Sequence, residues 1–571
     1  MMDIYQKLQE KPFSLDEEQM QWVKDVFEKM DLHDKIGQIF CLCARYEMDW
    51  LDHVFNVCEP GGIMYRRMPL EGAFQISETL TSKPKIPMLL AADLERGGNC
   101  IVSDVGTQVG TPLAIAATGD KENAYRMGEI CAIEASSIRA NWAFAPVLDI
   151  DYNFRNPITN VRTFGNNPER VKEFGTRFVE GIQDHGMAAA VKHFPGDGRD
   201  ERDQHIVISI NDMDCEEWMD SYGAVYQSAI DAGVLTVMIG HIMQPAWSRR
   251  LRPGIRDEEI MPATLAPELM QDLLRQKLGF NGLIVTDATT MVGFNAAMPR
   301  RKSVPYSIAS GVDMFLFPKN LEEDYQFMMD GIRDGIVTLE RIDEAVLRVL
   351  GLKAALRLYE KQAPVLEDAK RIIGCEEHHA FVQKCMDQAI TLVKEEKGVM
   401  PISPEKYPRV MVYPIEKEKD TTGYFPFHSS NACDQFIEVL KEKGFQVSVF
   451  EAKTGMEGMY QPTTEITEAC DLIIYVANLP TMSNQTQVRI EWLAPIGCNC
   501  PIYMHDVPTI FVSLENPYHL LDVPRVKTYI NAYSNTAEAV DAVIDKLMGK
   551  SEFKGVSPVD PFCGRWDTHL M

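Results

Sequence analysis

The stretch PERVKEFGTRFVEGIQDHGMAAAVKHF, residues 168–194, contains one copy of the pattern that decides the fold. Residues 168–186 are amphipathic, with apolar side chains at helical spacing, and residues 187–194 form a short apolar run that includes Lys192 and His193 near its end. Continuous apolar strands that alternate with amphipathic helices are typical of a parallel sheet buried on both faces. The stretch therefore predicts one strand of such a sheet and the helix that precedes it.

The same theme of an apolar run followed by a helical stretch recurs between residues 35 and 318. Eight runs carry it, at residues 36–42, 61–65, 87–95, 142–150, 187–194, 235–241, 282–287 and 312–317. Eight strand and helix units predict an α/β fold of the TIM-like (β/α)8 type. In this fold the carboxyl ends of the strands share one mouth, where active sites are found.

A smaller α/β pattern begins after the helical pattern breaks near residues 362–364. Its apolar runs lie at residues 410–415, 446–452, 471–477, 509–515 and 528–534. We predict a catalytic barrel over residues 1–362 and a C-terminal α/β sandwich over residues 363–571. No GxGxxG or Walker A run follows any of these strands, so nucleotide binding is not expected. The sequence leaves open whether this domain closes the site, supports a homodimer or only packs on the barrel.

Composition restricts the partners and the location. The 571-residue chain has 45% apolar and 25% charged residues, as soluble globular proteins do, and its net charge is −26. Such a surface should repel nucleic acid and anionic membranes. The first 20 residues lack the apolar core of a signal peptide, and the 13 cysteines show no CxxC spacing. We therefore expect a cytoplasmic protein with reduced thiols, no metal and no cofactor.

Charged residues stand at the ends of several apolar runs. They are Asp93, Glu95, Asp149, Lys192, His193, His241 and Asp287. Any one of them can be a solubilising cap of a strand. Several of them converging on the mouth of one barrel favour an active site over caps alone.

The segment KHFPGDGRDERDQH, residues 192–205, continues the strand of the opening stretch into a very polar loop. Its charges would have to be desolvated in a core, so it is either a solvated connection or a functional lid. Asp203 and His205 are separated by one residue, and an extended backbone can aim both side chains the same way. A carboxylate bonded to an imidazole fixes its tautomer and raises its basicity, which suits proton transfer near neutral pH.

At these residues the sequence resembles glycoside hydrolase family 3, in particular its β-N-acetylglucosaminidase branch. The resemblance rests first on KHFPGDG at 192–198 followed by the DxH loop at 203–205. Further matches are AADLE at 91–95, APVLD at 145–149, VRTFGNNPERV at 161–171 and VTDATTM at 285–291. They extend into the second domain through residues 389–402 and 513–524. Each motif is modest alone, but their joint order is specific.

The resemblance implies roles for particular residues. Asp287 would be the nucleophile and His205 the acid/base, oriented by Asp203. The implied sugar contacts are Asp93, Arg162, Lys192 and His193, with His241 at the rim in a less defined role. Other interpretations exist: Asp287 can be a helix N-cap, Arg162 can form a structural salt bridge, and Lys192 and His193 can be ordinary strand-end residues. Lys192 and Arg162 are expected to favour the ionised form of Asp287.

Two departures from the family pattern stand out. The DxEGGxVxR motif is only partly kept, because Arg96 intrudes and Asn99 and Cys100 replace its continuation. Asp197 stands where many relatives have a second histidine. The first departure puts one arginine contact in doubt, and the second reflects either a different leaving group or neutral variation.

The implied activity is that of a retaining, exo-acting β-N-acetylhexosaminidase. It would remove terminal β-linked N-acetylglucosamine from a small saccharide through a glycosyl-aspartate intermediate. A histidine acid is neutral after it gives up its proton and does not repel phosphate, so a phosphorylase is a serious alternative. A β-glucosidase or β-xylosidase ranks lower, since those relatives usually lack the DxH loop. A non-catalytic sugar-binding protein is disfavoured by the joint presence of Asp287, Asp203 and His205. The sequence does not name the leaving group.

Overall fold

The structure is a computed structural model that describes residues 2–45, 48–360, 363–416, 431–453, 456–494 and 496–571. The chain forms two compact units. The barrel unit comprises residues 1–108, 124–153 and 168–378, and the sandwich unit comprises residues 109–123, 154–167 and 379–571. The domain boundary at residue 362 falls outside the described residues and stays a prediction.

Eight parallel strands form the barrel. They are β1 (Phe40–Cys43), β2 (Gly62–Met64), β3 (Leu89–Ala92), β4 (Trp142–Ala143), β5 (Ala188–Phe194), β7 (Thr236–Ile239), β9 (Leu283–Thr286) and β10 (Phe315–Leu316). Each neighbours the next in that order, and β10 pairs with β1. Two backbone hydrogen bonds join β9 to the segment that contains β10. The N–H of Asp313 donates to the carbonyl of Ile284, and the N–H of Thr286 donates to the carbonyl of Met314. The predicted TIM-like barrel is confirmed, since each of the eight apolar runs contains one of these strands. Two further short strands, β6 (Ser209–Ile210) and β8 (Ile242–Met243), pair with each other.

The strands form because their side chains are buried on both faces. All seven residues of β5 are buried, and so are the four residues of β3, of β7 and of β9. A buried polar atom of β4 is paired with a side chain of β7: Nε1 of Trp142 donates to Oγ1 of Thr236 at 2.9 Å. Such complete burial explains why the sequence of these strands does not alternate between apolar and polar residues.

The helices fill the segments between the strands. Up to residue 389 they are Met2–Gln9, Glu17–Phe27, Leu32–Gln38, Met48–Val57, Leu70–Ser82, Pro112–Ala117, Glu122–Ser137, Pro168–Gln183, Cys215–Trp218, Ala224–Asp231, Pro245–Leu251, Val292–Asn295, Arg300–Ser310, Leu321–Arg333, Leu339–Ala355, Leu366–Ile372 and Glu376–Ala389. Short 3-10 helices are Gly98–Cys100, Asn160–Arg162, Asp257–Glu259, Ala263–Leu265 and Leu358–Glu360, and π-helical segments are Met219–Gly223 and Glu268–Lys277.

A buried charge network lies at the amino-terminal end of the barrel strands, around Asp313. Its Oδ2 accepts from Arg275 at 2.6 Å and from the N–H of Ile284 at 2.9 Å, and its Oδ1 accepts from Arg341 at 2.5 Å. The Asp313 side chain has no exposed area. Both of its oxygens are engaged, so this carboxylate serves the packing of the barrel.

The sandwich unit is built on a six-stranded sheet. Its strands are β11 (Thr391–Lys394), β12 (Arg409–Glu416), β13 (Gln446–Val449), β14 (Leu472–Asn478), β15 (Thr509–Ser513) and β16 (Thr528–Asn531), in the order β11-β16-β15-β14-β12-β13. Only β11 runs antiparallel to its neighbour. The remaining helices are Ala432–Glu442, Met456–Met459, Thr463–Thr467 and Ala537–Leu547, with turns at His519–Leu521 and Trp566–His569. The predicted smaller α/β domain is confirmed.

The core of the sandwich unit contains a row of aromatic rings. Tyr413 stacks on Tyr475, Tyr475 on Phe511, and Phe511 on Tyr529, with ring centroids 4.5, 5.8 and 5.3 Å apart. These residues come from four adjacent parallel strands, so the row follows the sheet. Within the described part of the whole chain, no helix is long and apolar enough to cross a membrane.

Candidate active site

The charged residues that end the apolar runs lie at the mouth of the barrel unit. Asp93 follows β3, Lys192 and His193 lie on β5, His241 follows β7 and Asp287 follows β9. Asp203 and His205 lie on the segment that joins β5 to β6. The carboxyl ends of barrel strands bring these side chains to one face of the molecule, although they span almost 200 residues of sequence.

Asp287 is the first residue after β9. Its Oδ1 accepts from the N–H of Ala288 at 2.7 Å, and its Oδ2 is 3.9 Å from Nε2 of His193. The next helix begins at Val292 with Met291 as its cap residue, so Asp287 is not a helix N-cap. The side chain is 13% exposed. A carboxylate with one oxygen fixed and the other facing an imidazole is suited to attack a carbon atom that enters the mouth.

The surroundings of Asp287 favour its ionised form. Burial raises its pKa, because a buried carboxylate loses hydration. Three neighbouring imidazoles lower the pKa by more, those of His193, His241 and His205, and the N–H of Ala288 adds to their effect. The net pKa therefore lies below its ordinary value of 3.8, and Asp287 is an anion at neutral pH.

His193 links Asp287 to a second buried carboxylate, Asp149. Nδ1 of His193 and Oδ2 of Asp149 are 2.6 Å apart, and the other oxygen of Asp149 accepts from the N–H of His193 and of Asp197. Asp149 thus fixes the ring of His193 so that Nε2 faces Asp287. The sequence marks Asp149 as a strand-end charge in the APVLD motif, but its partnership with His193 was not predicted.

Lys192 forms ion pairs at the same mouth. Its Nζ lies 3.0 Å from Oδ1 of Asp93 and 2.7 Å from Oε1 of Glu95. The lysine side chain is 3% exposed and that of Asp93 is 56% exposed. Lys192 is therefore a buried cation that orients an accessible carboxylate, a suitable arrangement for a sugar hydroxyl. The part played by Glu95 is a second feature that was not predicted.

Asp203 and His205 form the predicted pair. Oδ1 of Asp203 is 2.6 Å from Nδ1 of His205 and also accepts the N–H of His205 at 2.9 Å. Asp203 has no exposed side-chain area, whereas the His205 ring is 27% exposed. Among the described residues no protein group hydrogen-bonds to Nε2 of His205. The pair therefore presents one ring nitrogen, of defined tautomer, for proton exchange.

His241 has a different environment from the rim position expected of it. It is fully buried, its Nδ1 is 3.0 Å from Oγ1 of Thr264, and its Nε2 is 3.0 Å from the carbonyl of Ala288. Burial lowers its pKa from the ordinary 6.5, although Asp287 opposes this shift. Both ring nitrogens are engaged within the protein, so the geometry gives His241 a supporting position beneath Asp287 and no free atom for a sugar.

Arg162 belongs to the segment 154–167 of the sandwich unit. It ends the short helical turn Asn160–Arg162, and its guanidinium donates to the carbonyl of Ile158 at 3.2 Å. Its role as a sugar contact stays a prediction. Within the described residues no three His, Cys, Asp or Glu side chains are grouped so as to hold a metal ion.

Comparison with known proteins places this site in a family context. Residues 32–352 match the family described as "Glycosyl hydrolase family 3 N terminal domain". A protein of Cellulomonas fimi named "Beta-N-acetylglucosaminidase/beta-glucosidase" is 49% identical over 560 residues, which cover 98% of this chain and 99% of that protein.

Two solved structures are similar over most of the chain. One, named "Beta-glucoside phosphorylase BglX", is 42% identical with a TM-score of 0.92 and covers 98% of this chain and 99% of its own. The other is a glycoside hydrolase family 3 β-N-acetylglucosaminidase from Paenibacillus sp. str. FPU-7. It is 26% identical with a TM-score of 0.79, over 93% of this chain and 99% of its own.

Proposed function

The chain belongs to glycosyl hydrolase family 3 and is an enzyme that acts on glycosides, and on that premise we propose that it is a retaining, exo-acting β-N-acetylhexosaminidase. Its substrate would carry N-acetylglucosamine in β-linkage at the non-reducing end. The observation that carries the proposal is the pairing of an ionised carboxylate, Asp287, with an imidazole, His205, that a buried carboxylate holds in one tautomer. Retaining glycosidases need a nucleophile and a proton donor in these two roles.

In the first step Asp287 would attack the anomeric carbon while Nε2 of His205 protonates the departing oxygen. The low pKa of Asp287 keeps it available as an anion in water-poor surroundings. Asp203 stabilises the imidazolium before transfer and keeps Nδ1 protonated afterwards. The products of this step are a glycosyl ester on Asp287 and the released alcohol.

In the second step the neutral imidazole would take a proton from the acceptor. If the acceptor is water, His205 Nε2 accepts its proton as oxygen bonds to the anomeric carbon, and Asp287 leaves as a carboxylate. His205 regains the proton that it gave away, so the cycle is balanced. We propose Asp93, Lys192 and His193 as sugar contacts, and Arg162 by family resemblance alone.

Hydrolysis of aryl glycosides tests the proposal. 4-Nitrophenyl β-N-acetylglucosaminide is the expected substrate, and the matching β-glucoside is assayed beside it because the name of the Cellulomonas fimi relative includes both activities. NMR of the first product should show the β-anomer before mutarotation. The α-anomer as first product would overturn the retaining mechanism, and turnover of neither glycoside would favour a non-catalytic sugar-binding protein.

A phosphorylase is the second candidate. It is supported by the similarity to a β-glucoside phosphorylase over 98% of this chain. The chemistry of His205 also allows it, since a neutral imidazole does not repel an incoming phosphate as an anionic carboxylate would. Adding phosphate should then raise turnover and yield a sugar 1-phosphate. Unchanged turnover without sugar 1-phosphate would exclude this candidate.

A further inference from the structure

Gln204, which lies between Asp203 and His205, is almost completely buried at 1% exposure. Its Oε1 accepts the N–H of His241 at 2.7 Å, and its Nε2 is 3.5 Å from Oδ2 of Asp197. Its own carbonyl accepts the N–H of Gly293 at 3.2 Å. One residue therefore touches the end of β7, the loop after β5 and the segment after the nucleophile strand β9.

The backbone of the next residue, His205, is also held by a hydrogen bond. The carbonyl of His205 accepts the N–H of Val292 at 3.0 Å. These contacts hold the two residues of the acid/base segment against the chain that follows Asp287. The polar loop carries exposed residues such as Glu201 and Arg202, and without such contacts the loop would be free to move away from the mouth.

Two glycines provide the space that Gln204 occupies. A Cβ atom on Gly293 would lie 2.7 Å from the carbonyl oxygen of Gln204, and one on Gly240 would lie 3.1 Å from its Oε1. The first distance is too short for any side chain, and the second is tight. The barrel segments around Gln204 are thus shaped for close approach of this residue.

We propose that Gln204 is a positioning residue that clamps the acid/base segment and sets the distance between His205 and the leaving group. The proposal rests on the proposed function, in which His205 is the proton donor. Asp203 determines which nitrogen of His205 carries the proton, and Gln204 determines where that nitrogen lies. Asp197 completes the clamp by facing Nε2 of Gln204.

The clamp has a consequence that a merely structural residue would not have. Proton transfer depends steeply on distance, and a displacement of about 1 Å can cost about 100-fold in rate. A leaving group that departs readily without a proton does not need His205 in place. Loss of the clamp should therefore slow poor leaving groups and spare good ones.

The experiment compares Gln204→Leu with wild type on aryl glycosides whose leaving-group pKa values run from about 4 to about 10. Dinitrophenyl glycoside should lose no more than about 3-fold in kcat/KM, and phenyl glycoside about 30-fold or more. His205→Ala is the reference, since it should make kcat/KM depend on leaving-group pKa as steeply as Gln204→Leu does. Gln19→Leu is the matched control, because Gln19 is also buried and makes two side-chain hydrogen bonds remote from the mouth.

Two further variants keep the test decisive if Gln204→Leu does not fold. Gly293→Ala disturbs the same contact from the other side; its Cβ would also lie 2.7 Å from Cβ of His241, so the variant is judged by its leaving-group dependence and not by its overall loss of activity. In the double variant Gln204→Glu with Asp197→Asn, the side chain at position 204 still accepts the N–H of His241. Donor and acceptor are exchanged at the contact with residue 197, because the Asn amide can donate to the Glu carboxylate. The dependence of kcat/KM on leaving-group pKa should therefore be close to that of wild type. An equal loss on all leaving groups in the Gln204 and Gly293 variants would overturn the clamp alone. If His205→Ala itself shows no leaving-group dependence, the proposed proton donor fails, and the clamp fails with it.

Discussion

Asp287 and Asp313 are two buried carboxylates at opposite ends of the barrel, and they differ in how fully they are bonded. Asp313 accepts hydrogen bonds on both oxygens from Arg275, Arg341 and the backbone. Among the described residues, Asp287 accepts one hydrogen bond, from a backbone N–H, and its second oxygen lies 3.9 Å from Nε2 of His193, beyond hydrogen-bonding distance. A saturated carboxylate can only hold the fold together, whereas one with an open oxygen can still form a bond.

A second comparison gives the same lesson for histidine. His378 and Glu134 are 2.6 Å apart, as are His205 and Asp203. His378 is 5% exposed and Glu134 also accepts from Thr107 and Gly374, whereas the His205 ring is 27% exposed. The two pairs share their chemistry and differ in access, so access distinguishes the proposed catalytic pair from the buried one.

The largest effect is expected for Asp287→Asn. Loss of the proposed nucleophile should lower kcat/KM for an aryl β-N-acetylglucosaminide by about 10,000-fold, because the amide cannot form the proposed glycosyl ester. The midpoint of thermal unfolding should change little, since among the described residues the Asp287 side chain accepts one hydrogen bond, from the N–H of Ala288, and an asparagine side chain can accept the same bond. Steady-state kinetics and a melting curve check both parts. Wild-type activity in the purified variant would refute the nucleophile assignment.

Asp313→Asn should give the opposite outcome. It leaves Arg275 and Arg341, whose side chains are only 10% and 12% exposed, with a neutral partner, and breaking a largely buried ion pair of this kind costs about 3 to 5 kcal/mol in the free energy of unfolding. The kcat of the folded fraction should stay close to wild type. Chemical denaturation followed by fluorescence measures the first quantity and an aryl glycoside assay the second. A stable variant with impaired kcat would contradict the division between the two ends of the barrel.

His205→Ala and His378→Ala sharpen the comparison of the histidine pairs. The first should lose about 100-fold on a poor leaving group and little on an activated one, since only the former needs a proton. The second should lower stability without changing the ratio between the two substrates. Equal losses on both substrates in His205→Ala would remove it as the acid.

Much of the fold could be predicted because it depends on local pattern. Burial on both faces makes the barrel strands largely apolar, and that signal is present in each run separately. The position of Asp287 at a strand end and the pairing of Asp203 with His205 could also be predicted from the sequence, whereas their catalytic roles rest on the family resemblance and stay a proposal. Asp149 pairs with His193 across 44 positions and two neighbouring strands, so no local pattern predicts the contact.

The division of the chain into units was beyond local pattern for a similar reason. Residues 109–123 and 154–167 belong to the sandwich unit although they lie within the barrel in sequence. Their own sequence shows a short helix and a turn, and only tertiary contacts decide which core they join. His241 illustrates the same point within the site, because its position after a strand says nothing about whether both ring nitrogens are engaged.

The smallest effect concerns Lys353, a fully buried lysine on the helix Leu339–Ala355. Burial lowers its pKa from 10.5 to about 7, and its Nζ donates to Oε1 of Gln38. Between these two pH values the unfolded chain binds one more proton than the folded chain, so stability should rise with pH. The slope is about 1.4 kcal/mol per pH unit at most, or roughly 2 kcal/mol from pH 7 to pH 9.

Lys353→Met should abolish this rise while leaving the kcat of the folded enzyme unchanged. Denaturant midpoints of both proteins at pH 7, 8 and 9 give the difference, in which the titration of all other groups cancels. A parallel pH dependence in the two proteins would mean that Lys353 stays charged in the folded barrel. In that case both Lys353 and Asp287 would be buried charged groups, and they would differ only in how fully their atoms are hydrogen-bonded.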